Sequence, residues 1–190
     1  MIIGFIFAAQ REDFWLDWSR EVPSKLSTAE LGTALSDLKL WPVYHHSLKS
    51  ATLLNTLTLQ TGSELRLNIE PLGKEWKRFE LLTDPAEINP GKKMKFHLKG
   101  DSKKKISTIF DDFEWEVAVE EASPELKAKG FQSIVVGKAR AHTNHWRGRL
   151  FGTISPRILM NQVYYVDLVK LASYTSQIET SKLNQSPTFQ

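Results

Sequence analysis

The feature that most constrains this chain is a change of period. Between residues 50 and 147 apolar and polar residues alternate one by one, the spacing of a strand whose side chains point to opposite faces. The segments "ATLLNTLTL", "SELRLNIEP", "WKRFELLT", "KKMKFHLKG", "FEWEVAVEE" and "FQSIVVGKARAHTNHW" each read as a strand. Gly62, Gly73, Asn89 to Gly91, "GDSKKK" and "SPELKAKG" separate them as turns. In "FEWEVAVEE", Phe113, Trp115, Val117 and Val119 share one face, and Glu114, Glu116 and Glu120 share the other. Such a pattern calls for an antiparallel sheet with one face covered and one in water.

The cover has to come from the flanks. Asp13 to Pro23 reads as one more strand, with Phe14, Leu16, Trp18, Arg20 and Val22 on one face. Ser27 and Glu30 have capping-box spacing, and Leu31, Ala34, Leu35 and Leu38 follow at helical spacing. Pro42 pushes Trp41 away from helical angles, which ends that helix and starts a short second one over Pro42 to Ser47. At the other end, Ser155 and Pro156 open a helix of about 20 residues, roughly 30 Å long. Ile158, Tyr165, Val169 and Ala172 form one apolar stripe on it, and Met160, Tyr164 and Leu171 another. Asn161, Gln162, Asp167 and Lys170 make it too polar for a bilayer. Strands in a run with helices set apart define an α+β class.

Composition narrows the function classes. The chain has 190 residues and no cysteine, which excludes disulfides, thiolate metal sites and a cysteine nucleophile. Lys and Arg number 25 against 22 Asp and Glu, and the signs are interspersed. Lys99 to Lys105 is the one dense basic run and reads as a solvated loop, so no nucleic-acid partner is expected. The apolar start, Met1 to Ala9, lacks the basic residues of a secretory signal and is too short to span a membrane. The expected layout is an apolar arm over 1–12, one domain over 13–175 and a disordered tail over 176–190. The chain is expected to be cytoplasmic.

No catalytic constellation is present in the sequence. His45 and His46 are adjacent, so on a short helix they diverge by about 100° and do not form a metal pair. One of them is expected to pack at the helix end and the other to be solvated; the functional alternative puts one at a cavity mouth as a hydrogen-bond donor. His142 falls on the polar face of the last strand with Lys138 and Arg140, and His145 on the inward one. Gly137, Ala139 and Ala141 are small enough to let a helix or ligand approach. Two readings of Arg20 stay open: its guanidinium either reaches the rim and water or holds a ligand oxygen inside. No metal and no cofactor is expected.

The stretch "SREVPSKLSTAELGTALSDLKLWPVYHHSLKSATLL" resembles the SRPBCC superfamily, which includes START domains, polyketide cyclase-like proteins and the plant pollen-allergen type. Val22, Ser27, Leu31, Asp37, Trp41, Pro42, Tyr44 and Leu48 fit its pattern of strand, helix, Trp-Pro turn and return strand. The resemblance covers about residues 13 to 175, and the apolar arm is extra. It implies a helix-grip fold: a curved antiparallel sheet of about seven strands wrapped around a long C-terminal helix, with two short helices after the first strand. It also implies an apolar cavity between sheet and helix, lined by Trp18, Arg20, Trp41, Tyr44, Phe113, Trp115, Val117, Ala139, Ala141 and Tyr165. The implied function is binding or transport of a hydrophobic, lipid-like or polyketide-like small molecule. The alternative is a cyclase/aromatase or dehydratase using the same cavity; the absence of catalytic spacing favours the non-catalytic reading. The arm and the C-terminal helix are candidate homodimer surfaces.

Overall fold

The computed structural model describes residues 14–45, 47–69, 79–83, 87–99, 112–143 and 164–174. The arm, the tail, His46, His145, the basic loop and the first half of the C-terminal helix lie outside the described residues. The elements in order are β1 (Phe14–Ser24), α1 (Thr28–Ser36), α2 (Trp41–Tyr44), β2 (Leu48–Leu53), β3 (Leu65–Ile69), β4 (Phe79–Leu82), β5 (Glu87–Asn89), β6 (Lys93–Lys99), β7 (Asp112–Glu121), α3 (Pro124–Ala128), β8 (Ser133–Thr143) and α4 (Val166–Ala172). Every strand pairing is antiparallel. Five strands run in the order β1-β8-β7-β6-β5, and three in the order β2-β3-β4. The α+β class holds, with the expected seven or so strands appearing as eight in two ladders among the described residues. One hydroxyl joins the ladders: Thr61 Oγ1 donates to the Ile88 carbonyl at 2.7 Å and accepts from its N–H at 3.0 Å.

Helix α1 forms as its sequence demands. Ser27 Oγ accepts from Glu30 N, and Glu30 Oε2 accepts from Ser27 N at 2.8 Å, a complete capping box. Leu31, Ala34 and Leu35 are buried on its inner face. The helix ends at Ser36, earlier than Leu38, because Asp37 turns the chain and its Oδ1 accepts from Lys39 N. The Trp41 indole then donates to the Leu35 carbonyl at 2.9 Å, taking one of the acceptors a helix end leaves open. Helix α2 is a single turn and stops at Tyr44, short of Ser47.

Three other expectations shift. Strand β2 begins at Leu48 and stops at Leu53. Residues 54 to 63 form a loop closed by Asn55, which donates to Gly62 O and accepts from Glu64 N. Its alternating Thr and Leu residues resemble a strand, but the Asn and Ser side chains satisfy its backbone in a turn. The "SPELKAKG" turn contains the short helix α3, capped by Ser123 with Pro124 in its first turn. Strand β5 is only three residues long, too short to show a period.

The sheet's outer face is ordered by charge. Asp17 on β1 meets Arg140 on β8, Glu116 on β7 meets Lys138 on β8 and Lys93 on β6, and Glu114 meets Lys95. His97 on β6 pairs with Asp112 on β7. Acidic and basic strands therefore alternate across the ladder, so directly opposed residues attract. Burial pushes the Glu116 carboxyl up, but the Lys93 hydrogen bond and the Lys93 and Lys138 charges outweigh it and hold the group below its ordinary value.

A carboxyl with a lowered folded-state pKa adds stability above its unfolded value, and that stability is lost as pH falls through the folded one. Glu116→Gln should therefore flatten the acid limb of the stability curve between about pH 6 and pH 3, measured by urea midpoints. A second expectation concerns Gly32, inside α1. A Cβ there would lie 2.3 Å from the Gly91 carbonyl oxygen. Alanine in a helix interior normally gains about 1 kcal/mol over glycine. Here the backbone clash reverses the sign, and Gly32→Ala should lower unfolding free energy by about 2 kcal/mol in urea titration.

Candidate functional site

The inner face is apolar and is closed from one side by α4. Trp18 and Val22 of β1, Phe113, Val117 and Val119 of β7, and Val135, Ala139 and Ala141 of β8 are buried there. Leu168, Leu171 and Ala172 bring α4 onto them. The seat is Gly137: a Cβ there would stand 2.4 Å from Leu168 Cδ1, so the helix rests on bare strand backbone. Ser24 fixes the helix end, its buried hydroxyl donating to the Ala172 carbonyl at 2.6 Å.

That seating carries a charge into the core. Asp167 on α4 is buried, and its Oδ2 lies 2.9 Å from His45 Nδ1, just past the end of α2. The side chains of His45 and Asp167 are only 13% and 8% exposed. An ionised carboxylate only accepts, so Nδ1–H donates to it; in the neutral ring Nε2 is then an acceptor. Aromatic rings surround the pair. His45 meets Trp41 and Trp115 edge-on, with centroids 6.1 and 4.9 Å away, and lies 4.8 Å from Tyr44. Phe96 stacks on Trp115 at 5.7 Å, and Phe113 on Tyr164 at 5.6 Å.

Two hydroxyls complete the site. Tyr44 is 2% exposed, and its OH has no hydrogen-bond partner. Burial first, then the neighbouring Asp167, Tyr174 and Asp37, push that hydroxyl well above the ordinary tyrosine value. Tyr164 is a half-buried ring whose hydroxyl is likewise pushed up by burial and by Asp167. Both phenols are therefore neutral hydrogen-bond donors near a carboxylate. Among the described residues no cluster of His, Asp and Glu is fit to hold a metal ion.

Of the residues singled out in the sequence, Trp18, Trp41, Tyr44, Phe113, Val117, Ala139 and Ala141 are buried, and Trp115 is half-buried. Arg20 is not among them. It is exposed, and its Nη1 donates to the Ser19 carbonyl. Its Cα lies opposite Gly137 on the inner row, but among the described residues β1 is the edge of its ladder, and the long side chain is exposed. Tyr165 is also exposed, at 39%; its neighbour Tyr164 is the ring that packs against Trp18 and Phe113. The C-terminal stripe is thus rotated: Asp167, Leu168, Leu171 and Ala172 face inward, while Tyr165, Val166 and Val169 face out. Of the two adjacent histidines, His45 is the one described, and it does more than pack: its Nδ1 meets the buried Asp167 carboxylate. Asp167 was legible only as one acidic residue in an apolar helix, with nothing to place it against a residue 122 positions away.

The antiparallel sheet, the two short helices between β1 and β2 and the C-terminal helix on the inner face define the helix-grip fold. No protein-family model matches the sequence, and no curated protein matches it. Solved structures do match in shape. The crystal structure of Ara h 8.0201 is 13% identical, with a TM-score of 0.58 over 86% of this chain and 99% of that one. The di-domain ARO/CYC StfQ from the steffimycin biosynthetic pathway is 8% identical, with a TM-score of 0.61 over 88% of this chain. This chain spans only 52% of that two-domain protein. SA2116 from Staphylococcus aureus, a protein of unknown function, is 10% identical, with a TM-score of 0.59 over 87% of this chain and 98% of that one. Identities this low establish the fold and leave the activity to the site.

An unpaired buried hydroxyl costs about 1–3 kcal/mol. Tyr44→Phe should therefore stabilise the protein by about 1 kcal/mol, raising the melting temperature by about 3 °C at neutral pH in calorimetry. A raised tyrosine pKa adds stability that is complete below the unfolded value, about pH 10, and is lost as pH climbs toward the folded one. The same variant should accordingly lose less stability than the parent above about pH 10.

Proposed function

We propose that this protein binds a hydrophobic small molecule between the inner face of its sheet and the C-terminal helix. The observation that carries the proposal is incomplete burial of apolar residues that point inward. On β3 burial falls from Leu65, fully enclosed, to Leu67 and Ile69, half-open; Ala51 and Leu53 on β2 and Trp115 on β7 are half-open too. A closed core would cover these side chains, whereas a ligand site leaves apolar walls beside a few polar groups. The shape shared with Ara h 8.0201 and with StfQ is compatible with that use. Trp18, Trp41, Tyr44, Phe113, Trp115, Val117, Ala139 and Ala141 form the walls in this reading, and Arg20 and Tyr165 do not.

A cyclase/aromatase or dehydratase activity is the second reading. It is favoured by one observation: the His45–Asp167 pair is oriented like a base held by a carboxylate, with two neutral phenols nearby. The proposal takes the protein to be cytoplasmic; among the described residues no helix is long and apolar enough to cross a membrane. The exposed Tyr165, Val166 and Val169 support the C-terminal helix as a homodimer surface, and light scattering reads that state directly.

Native mass spectrometry after mild purification tests the main reading. A fraction of the protein should carry a small-molecule adduct that organic extraction removes. Trp115→Ala should lower its occupancy at least about tenfold, since a buried aromatic wall contributes about 1.5 kcal/mol or more. Adduct-free protein that also takes up nothing from a panel of lipids and aromatic compounds counts against it.

A further inference from the structure

The C-terminal helix has its polarity reversed. Its acidic residue, Asp167, is buried, and its outward side carries Tyr165, Val166 and Val169, each 39% exposed. These three lie together on one side of the helix. Ser173, next on that side, turns its hydroxyl back onto the Val169 and Lys170 carbonyls. The outward side of a helix in water normally holds charged residues and strong helix formers. Valine and tyrosine are neither, since branched and aromatic side chains lose rotamer freedom there. Such a side calls for a cover.

Three side chains are too few to hold two helices together, because a stable interface takes about 20–30 residues a side. More apolar surface comes from Met1 to Ala9, which has no charged side chain in a chain that is 25% charged. The course of β1 decides whose helix that arm can reach. Strand β1 and α4 run the same way: the Trp18 ring meets Tyr164 where α4 begins, and Ser24 holds the Ala172 carbonyl where it ends. Residues before Phe14 therefore join the sheet beyond the Tyr165 end of α4, on a strand that points them away from Val169. Gln10 to Asp13 contain no glycine or proline to turn them back. These four residues also carry one cation against two anions, which gives no attraction to an anionic lipid surface.

We propose that the N-terminal arm of one copy lies along the exposed Tyr165, Val166 and Val169 stripe of a second copy, and reciprocally, in an arm-exchanged dimer. This rests on the homodimer surface of the preceding reading and names what covers it. A two-fold axis makes the contact twice, arm on helix and helix under arm. Each copy then brings an arm as well as a stripe, which with their flanks approaches the size of a stable interface. The exchange also removes two apolar surfaces from water at once, each of which is unsuited to solvent alone.

Complementation between two variants tests the exchange, read by analytical sedimentation of the full chain. The wild type should be a dimer at micromolar concentration. Phe5→Asp in the arm and Val169→Lys on the helix should each raise the dimer dissociation constant about a hundredfold, because symmetry counts each substitution twice. An equal mixture of the two variants should dimerise again, to within about tenfold of the wild type: one of its contacts is unaltered, and the other sets the two new charges of opposite sign together. Circular dichroism of each variant checks the fold. A monomeric wild type overturns the exchange and the homodimer reading together. A dimer that survives Phe5→Asp, or a mixture that stays monomeric, overturns the exchange alone. Pelleting of the wild type with phosphatidylcholine vesicles that is lost in Phe5→Asp places the arm in lipid and also overturns the exchange.

Discussion

Everything in this molecule depends on how closely α4 lies against the sheet, and that is set where Leu168 meets Gly137. A methyl group on residue 137 would occupy the space of the Leu168 side chain. Because the strand offers no side chain there, the helix settles onto backbone, and the Ser24 hydroxyl holds its last turn by the Ala172 carbonyl. One residue before Leu168, Asp167 is then carried inward to His45. A buried hydrogen bond to a carboxylate contributes little net stability, since desolvation offsets most of the attraction. Its effect is geometric: it ties the turn after α2 to the C-terminal helix and orients an imidazole inside an aromatic shell.

The two faces of the sheet solve different problems. Inside, dispersion and the hydrophobic effect hold rings in contact. Outside, acidic and basic strands alternate, each pair modest alone because it is open to water. Their combined effect is register, since a one-residue slip would put each charge on the inner face and each apolar residue in solvent. Glu116 binds lysines on both neighbouring strands and so pins three strands at once.

Much of this was legible in the sequence because it is local. The Ser27–Glu30 capping box and the alternation through Phe113 to Val119 depend on neighbours a few residues apart, and each appears in place, whereas the first helix ends already at Ser36 and Trp41 opens α2 instead of lying outside a helix. The Trp-Pro stretch also carried the resemblance from which the helix-grip fold was expected, and the fold is of that kind. What stayed hidden depends on contacts distant in sequence. The Gly32–Gly91 approach and the His45–Asp167 pair need the tertiary fold before either partner has meaning. The phase of the C-terminal helix was also out of reach: with apolar residues nearly all round, the pattern gives no unique inner face, and Tyr164 and Tyr165 exchange roles. Strand β5 failed for a simpler reason, since three residues hold no period.

Arg20 is a cation on an apolar row, at the margin of the sheet. Among the described residues β1 ends the five-stranded ladder, and an open margin invites the strand of a second molecule. Arg20 folds back to occupy the Ser19 carbonyl, Pro23 removes a donor, and Asp17 and Glu21 add exposed charge along the same strand. An incoming chain would find one acceptor taken, a donor missing and its own backbone facing ions. A side chain turned away from the inner face thus adds charge to an edge that would otherwise be open to pairing.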